Sequence, residues 1–153
     1  MLALSFHIGV DRFALPCADI VEVVPRILLR AVPRAPVSVA GTFTYRGAIV
    51  PVVDLCMLVT EKACPLRLSS RIIVVRFSTS AGTERLLGLL AERVVETITL
   101  DRKTSAPTGI HVPDAPYLGD VYVESGAPVQ LLAIGPLLQG PLRSLLLGDG
   151  ATA

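Results

Sequence analysis

Residues 44–55 read TYRGAIVPVVDL, and the whole chain can be argued outward from them. The run Ala48–Val53 is almost wholly apolar and rich in β-branched residues, which suits a strand. Pro51 within it cannot donate to a sheet ladder, so the strand belongs at an edge or a bulge. Thr42–Tyr45 reads as a short strand before it, and Arg46-Gly47 is the corner that joins the two. Gly47 permits a tight turn that a side chain would crowd. Arg46 is harder to account for. A charge at an apolar corner either hangs in water or seeks a partner.

The flanking sequence continues in short β segments. Leu4, Phe6 and Ile8 alternate with Ser5 and His7, the pattern of a half-buried strand, and Arg12–Pro16 returns after a turn at Gly9. Ala18–Val24 is a third strand, stopped by Pro25. Pro36 can open a helical turn over Val37–Ala40 that Gly41 closes. Residues 61–70 are a polar connector containing Cys64 and Pro65, and RIIVVRF at 71–77 is the clearest strand of all. Residues 86–100 read as one long strand or a bent pair; a helix fits the periodicity, but Val94, Val95, Thr97, Ile98 and Thr99 favour strand. Residues 101–116, with three prolines, form the longest loop, and 117–134 a hairpin turning at Ser125–Pro128. Residues 141–147 are the one plausible helix, with a frayed tail after Gly148. Some ten short strands with close turns argue for an all-β fold of small barrels or a sandwich.

Composition narrows the function. With 153 residues the chain makes one compact domain or two small lobes sharing a core. A net charge of +1 gives no electrostatic reason to expect nucleic acid or an anionic membrane as partner. Aromatic residues are too sparse, at 5%, to build base-stacking platforms. No apolar run is long enough to span a bilayer, and the N-terminus lacks the basic start and cleavage pattern of a signal peptide. With 52% apolar and only 18% charged residues, some apolar surface is expected outside the core, where it marks interaction sites. The plainer alternative is a well-filled β core beneath an ordinary surface.

Reactive groups do not converge in the sequence. His7 lies on a strand and His111 in the long loop, neither at metal-ligand spacing from a cysteine or acid. The odd count of three cysteines lacks the spacing of a disulfide framework, and the cytosol is the default compartment. Cys17 reads as a small buried hydrophobe. Arg26, Arg30 and Arg34 lie four apart, but Pro25 and Pro33 bracket them, so a solvated loop is expected rather than a helix face. No Gly-rich phosphate loop is present. The sequence therefore implies no catalytic residue, no cofactor and no metal.

The order of short motifs from Phe13 to Leu58 resembles the CheW family, the coupling proteins of bacterial chemosensory arrays. The matching residues are Phe13-Ala14-Leu15-Pro16, Val21-Glu22-Val23, Val32-Pro33 with Ala35-Pro36, Gly41, Arg46-Gly47 and Ile49–Leu55. Ile72–Val75, Gly88–Val94 and Val129–Leu138 resemble later strands more weakly. Four positions depart from the family pattern: Thr44-Tyr45 replaces Asn-Leu, and Glu92 and Ala133 replace aspartates.

The resemblance implies two intertwined five-stranded SH3-like β-barrel subdomains with a short C-terminal helix. A single domain over 1–148 would comprise subdomain 1 from 10 to 65 and subdomain 2 from 1–9 plus 66–148, with 149–153 a flexible tail. It implies a cytoplasmic, non-catalytic adaptor recruited to membrane-associated arrays without inserting into the membrane. Its partners would be the regulatory domain of a CheA-like histidine kinase and the cytoplasmic tip of a methyl-accepting chemoreceptor. By the same likeness Arg46 pairs with Glu22, and Arg46, Glu22, Gly47, Ile20, Val50 and Val52 are the interface candidates. Whether Ile20, Val50 and Val52 are core or docking surface is open in the sequence. Two alternatives stand beside this reading: a structural or self-associating β-barrel module, and a small hydrolase in which His7 or His111 meets Cys17 or a serine.

Overall fold

The computed structural model describes residues 1–78, 82–107, 109, 112–137 and 142. Within them lie nine strands: β1 (Leu2–Ile8), β2 (Asp11–Pro16), β3 (Ile20–Pro25), β4 (Val39–Tyr45), β5 (Ala48–Asp54), β6 (Arg71–Ser78), β7 (Glu84–Thr99), β8 (Leu118–Glu124) and β9 (Ala127–Leu132). Two short helices follow strands directly, α1 (Leu55–Thr60) and α2 (Ile134–Leu137).

β7 organises the molecule. It is a single strand of 16 residues, which decides between the strand and helix readings of this stretch. Residues 84–91 pair with β6 and residues 88–90 with β5, whereas residues 92–99 pair with β1. The change of partners coincides with Arg93, whose φ of 48° departs from extended backbone. Two five-stranded subdomains result, sharing β7: one ordered β3-β6-β7-β5-β4, the other β7-β1-β2-β9-β8. The first is closed by Arg30 and Thr42, which exchange two backbone hydrogen bonds of 2.9 Å.

Strand pairing divides the chain differently from the 10–65 boundary. β2 hydrogen-bonds to β1 and β9, so it belongs with the second subdomain, while β6 and the first half of β7 pair with β3 and β5 in the first. The physical reason is the long β7, whose two halves serve two sheets and tie distant segments into each.

Side-chain alternation on β1 and β2 places them between two cores. Leu4, Phe6 and Ile8 join Phe13 and Leu15 in the main core, whereas Ala3 and Ala14 face a second cluster with Ile98, Leu100, Tyr122 and Val129. At the other end of that second face, Arg12 takes the place of apolar packing. Its Nε donates to Ser5 Oγ at 3.1 Å, and its two terminal nitrogens reach Glu124 Oε1 at 2.6 Å and Glu96 Oε1 at 3.0 Å. One guanidinium thus ties four strands.

One local expectation is revised, one short helix forms where none was expected, and one expected helix falls almost wholly outside the described residues. In place of a helical turn over 37–40, residues 36–39 make a single turn, with Val39 N donating to Pro36 O, and β4 begins at Val39. Residues 55–60 are helical: the Asp54 side chain accepts from Met57 N at 3.1 Å and caps a turn whose residues look strand-like. The helix expected over 141–147 lies outside the described residues apart from Leu142, which is buried. None of the described helices is long and apolar enough to cross a membrane.

Candidate functional site

The β4–β5 corner carries the most developed polar cluster on the surface of the first subdomain. Arg46 (φ 49°) and Gly47 (φ 81°) both occupy the left-handed region, which a two-residue hairpin turn requires. Gly47 adopts it freely; a Cβ there would meet nothing within 4 Å, so its role is conformational. Arg46 is placed there by its neighbours. Its Nη2 lies 3.0 Å from Glu22 Oε1 on β3, and its guanidinium sits 4.9 Å from the centroid of the Tyr45 ring. The Tyr45 hydroxyl donates to the same Glu22 oxygen. That bond to a carboxylate, with desolvation next, raises the tyrosine pKa above its ordinary value.

Alternation along β4 turns Phe43 and Tyr45 inward, and their rings meet edge to face at 6.1 Å. The buried ring anchors Tyr45 while its hydroxyl remains at the rim. By contrast the Arg46 side chain is 70% exposed and that of Glu22 43%. The cluster can therefore present a guanidinium and a carboxylate oxygen to a partner from a rigid seat.

The other candidates separate. Val50 and Val52 are buried, at 1% and 0% exposure, so they are core residues and not docking surface. Period-2 alternation puts Ile49 on the opposite face, where it is 76% exposed beside the Arg46 corner. Ile20 is half-buried and packs against the main core. The sequence reading missed Tyr45, which it noted only as a departure from the family pattern. Its signal was the inward alternation of Phe43 and Tyr45 next to an arginine.

The cysteines depart from expectation. Cys56 and Cys64 are joined as a disulfide, although their spacing fits no framework pattern. The N-cap at Asp54 explains the approach: its Oδ1 starts α1, which carries Cys56, and its Oδ2 accepts from Cys64 N at 3.1 Å. The ligand atoms of Asp54, Cys56 and Cys64 lie within 4.8 Å of one another, a grouping that could hold a metal ion. Here the two sulfurs are bonded to each other and the carboxylate holds two backbone amides. Cys17 is free and half-buried against the core.

His7 shares an open cleft with Arg12, Glu96, Glu124 and Ser125. The Ser125 hydroxyl donates to Glu124 Oε2 at 2.7 Å, and the buried His7 Nδ1 has no hydrogen-bond partner. His111 lies outside the described residues.

The CheW-like domain model matches residues 2–141. The chain belongs to the CheW-like domain family. Two relatives bear the name chemotaxis protein CheW. The protein from Helicobacter pylori is 29% identical over 104 residues, 68% of this chain and 60% of its own length. The protein from Rhizobium meliloti is 27% identical over 105 residues, 69% of this chain and 64% of its own. The matches thus span under two thirds of either relative. The crystal structure of the scaffolding protein TtCheW from Thermoanaerobacter tengcongensis superimposes with a TM-score of 0.78 at 21% identity, covering 92% of this chain and 89% of that one. That likeness confirms the two-subdomain β fold.

Proposed function

We propose that this CheW-like domain is a non-catalytic adaptor, coupling chemoreceptor-type sensory proteins to a CheA-like histidine kinase on the cytoplasmic side of a receptor array. The observation that carries the reading is the Glu22–Tyr45–Arg46 cluster, anchored on a buried ring yet exposing its charges. A purely structural barrel gains little from an exposed ion pair, which contributes roughly 1 kcal/mol or less to folding. Offered to a partner, the same arginine can form a charge-assisted hydrogen bond that is desolvated on contact. The adaptor acts by differential docking: contacts that differ between receptor states bias the kinase between its conformations.

Of the six interface candidates, Arg46, Glu22 and Gly47 form the corner site, and Ile49 joins them as its apolar flank. Ile20 keeps a half-buried edge on β3, the strand that carries Glu22.

Titration calorimetry of the full chain against the kinase regulatory domain and a receptor signalling-tip fragment tests the proposal. The expected result is binding to both, with Arg46→Ala folded and weakened at least about tenfold toward the receptor fragment. Absence of binding to both by folded wild-type protein overturns it. Self-association instead, seen by sedimentation, would favour the structural-module alternative.

A further inference from the structure

The connector between α1 and β6 is fastened midway at a buried residue, Cys64. Glu61, Lys62 and Ala63 are exposed, as are Leu66, Arg67 and Leu68, while Cys64 between them is 3% exposed. Cys64 is bonded to Cys56 on α1. Its neighbourhood adds polar ties: Arg26 Nη1 donates to Cys64 O at 3.0 Å and Pro65 O at 2.9 Å, and Ser70 Oγ donates to Pro65 O at 2.8 Å. Past this point Leu66 and Leu68, at 84% and 99% exposure, line a shallow groove together with Ile27 and Leu28.

We infer that Cys56 and Cys64 form a reversible redox clasp that sets the order of residues 61–70 and so the shape of this apolar groove. The geometry accommodates both states. In the oxidised state the sulfurs are joined. In the reduced state each thiol has an acceptor already within reach: Glu92 Oε2 at 3.8 Å from Cys56 Sγ, and Leu90 O at 3.6 Å from Cys64 Sγ. Reduction therefore leaves no thiol without a partner, and the core around α1 need not reopen.

Exchange uses a small-molecule thiol. Its thiolate attacks one sulfur of the Cys56–Cys64 bond and forms a mixed disulfide; a second thiol group releases it. The protein gains two electrons and two protons as two thiols, and the reductant departs as its disulfide. Because both sulfurs are buried, attack requires local opening of the exposed connector. Once reduced, the connector loses its covalent tie, is held midway by the hydrogen bonds at Cys64 and Pro65, and opens more often.

The test equilibrates wild-type protein with dithiothreitol or with oxidised glutathione and counts alkylated cysteines after denaturation. With 3 cysteines in the chain, three tags are expected when reduced and one, on Cys17, when oxidised. Native-state trypsin cleavage after Lys62 and Arg67 then reads connector opening. The reduced form should be cut at least roughly tenfold faster, with cleavage elsewhere unchanged. Cys64→Ser should be cut at the reduced rate in either buffer; if that variant fails to fold, the two states of the wild type carry the comparison. Equal cleavage rates in both states overturn the inference. So does a pair that stays as thiols in excess oxidised glutathione, or one that is reduced only when the whole domain unfolds.

Discussion

Arg12 Nη1 lies 2.6 Å from Glu124 Oε1, although 112 residues separate the two in sequence. The contact joins β2 to β8 at the polar end of the second subdomain, where Ser5 and Glu96 complete the shell of the same guanidinium. The arginine is largely covered, with 19% of its side chain exposed, so its loss leaves Glu124 and Glu96 without the cation they share. Arg12→Ala is expected to lower Tm by roughly 3–8 °C, with Arg12→Lys recovering part of it. Differential scanning calorimetry checks this; an unchanged Tm in Arg12→Ala would mean the network contributes nothing to folding.

Gly41 is fixed by backbone closeness rather than by a turn. Its φ is 146°, and a Cβ there would fall 2.6 Å from Arg30 O and 2.9 Å from Leu29 Cβ. Arg30 O belongs to the bridge that closes the first subdomain, and Leu29 directly precedes it. Gly41→Ala is therefore expected to cost on the order of 2–4 kcal/mol by urea denaturation. Gly47→Ala, with open space around it, pays only the left-handed backbone term, about 1 kcal/mol. Equal losses at the two glycines would refute the distinction.

How far the sequence was legible follows from the range of its signals. Alternation in β1 and the apolar runs of β5 and β6 are local, so these strands could be read directly. The pairing of β2 with β9, and the two-sheet role of β7, arise from contacts far apart in sequence, which no local signal carries. At the candidate site, Arg46 and Glu22 were named through family resemblance, and the structure brings them to 3.0 Å. Val50, Val52 and Ile49 sit on one apolar run whose composition looks alike on both faces; only the register shows which valines are core. The disulfide was invisible because α1, which carries Cys56, is created by a cap at Asp54 and not by any helical periodicity.

His7 provides an acid-sensitive element. Burial, then the charges of Arg93 and Arg12, lower its pKa below 6.5, with Glu92 and Glu96 opposing. The folded state thus prefers neutral imidazole. Its contribution is complete above pH 6.5, the ordinary value, and is lost as pH falls through the depressed folded value. Glu124 has the same sign in a lower window: hydrogen bonds from Ser125 and Arg12 hold its carboxyl below 4.5, so its contribution fades only under stronger acid. In chemical denaturation across pH 7 to 5, His7→Asn should show a flatter loss of stability than wild type. A parallel pair of curves would remove His7 from the account.

The Glu22–Tyr45–Arg46 cluster makes a prediction about its own wiring that needs no partner protein. The leading cause of the raised Tyr45 pKa is its hydrogen bond to Glu22, and the Arg46 charge acts in the opposite direction. Glu22→Gln should therefore bring the Tyr45 titration down, and Arg46→Ala should push it further up. Both are readable by phenolate absorbance at alkaline pH, with Tyr45→Phe identifying the transition. Because the Tyr45 proton is held more tightly in the folded state, its contribution is present below pH 10 and is lost as pH rises through the elevated folded value. Arg46→Ala should meanwhile alter unfolding free energy by no more than about 1 kcal/mol, as expected for a pair this exposed. A larger loss would make Arg46 a structural residue. A Tyr45 titration that moves in the same direction in both variants would mean that Glu22 and Arg46 do not act on the tyrosine as opposed charges.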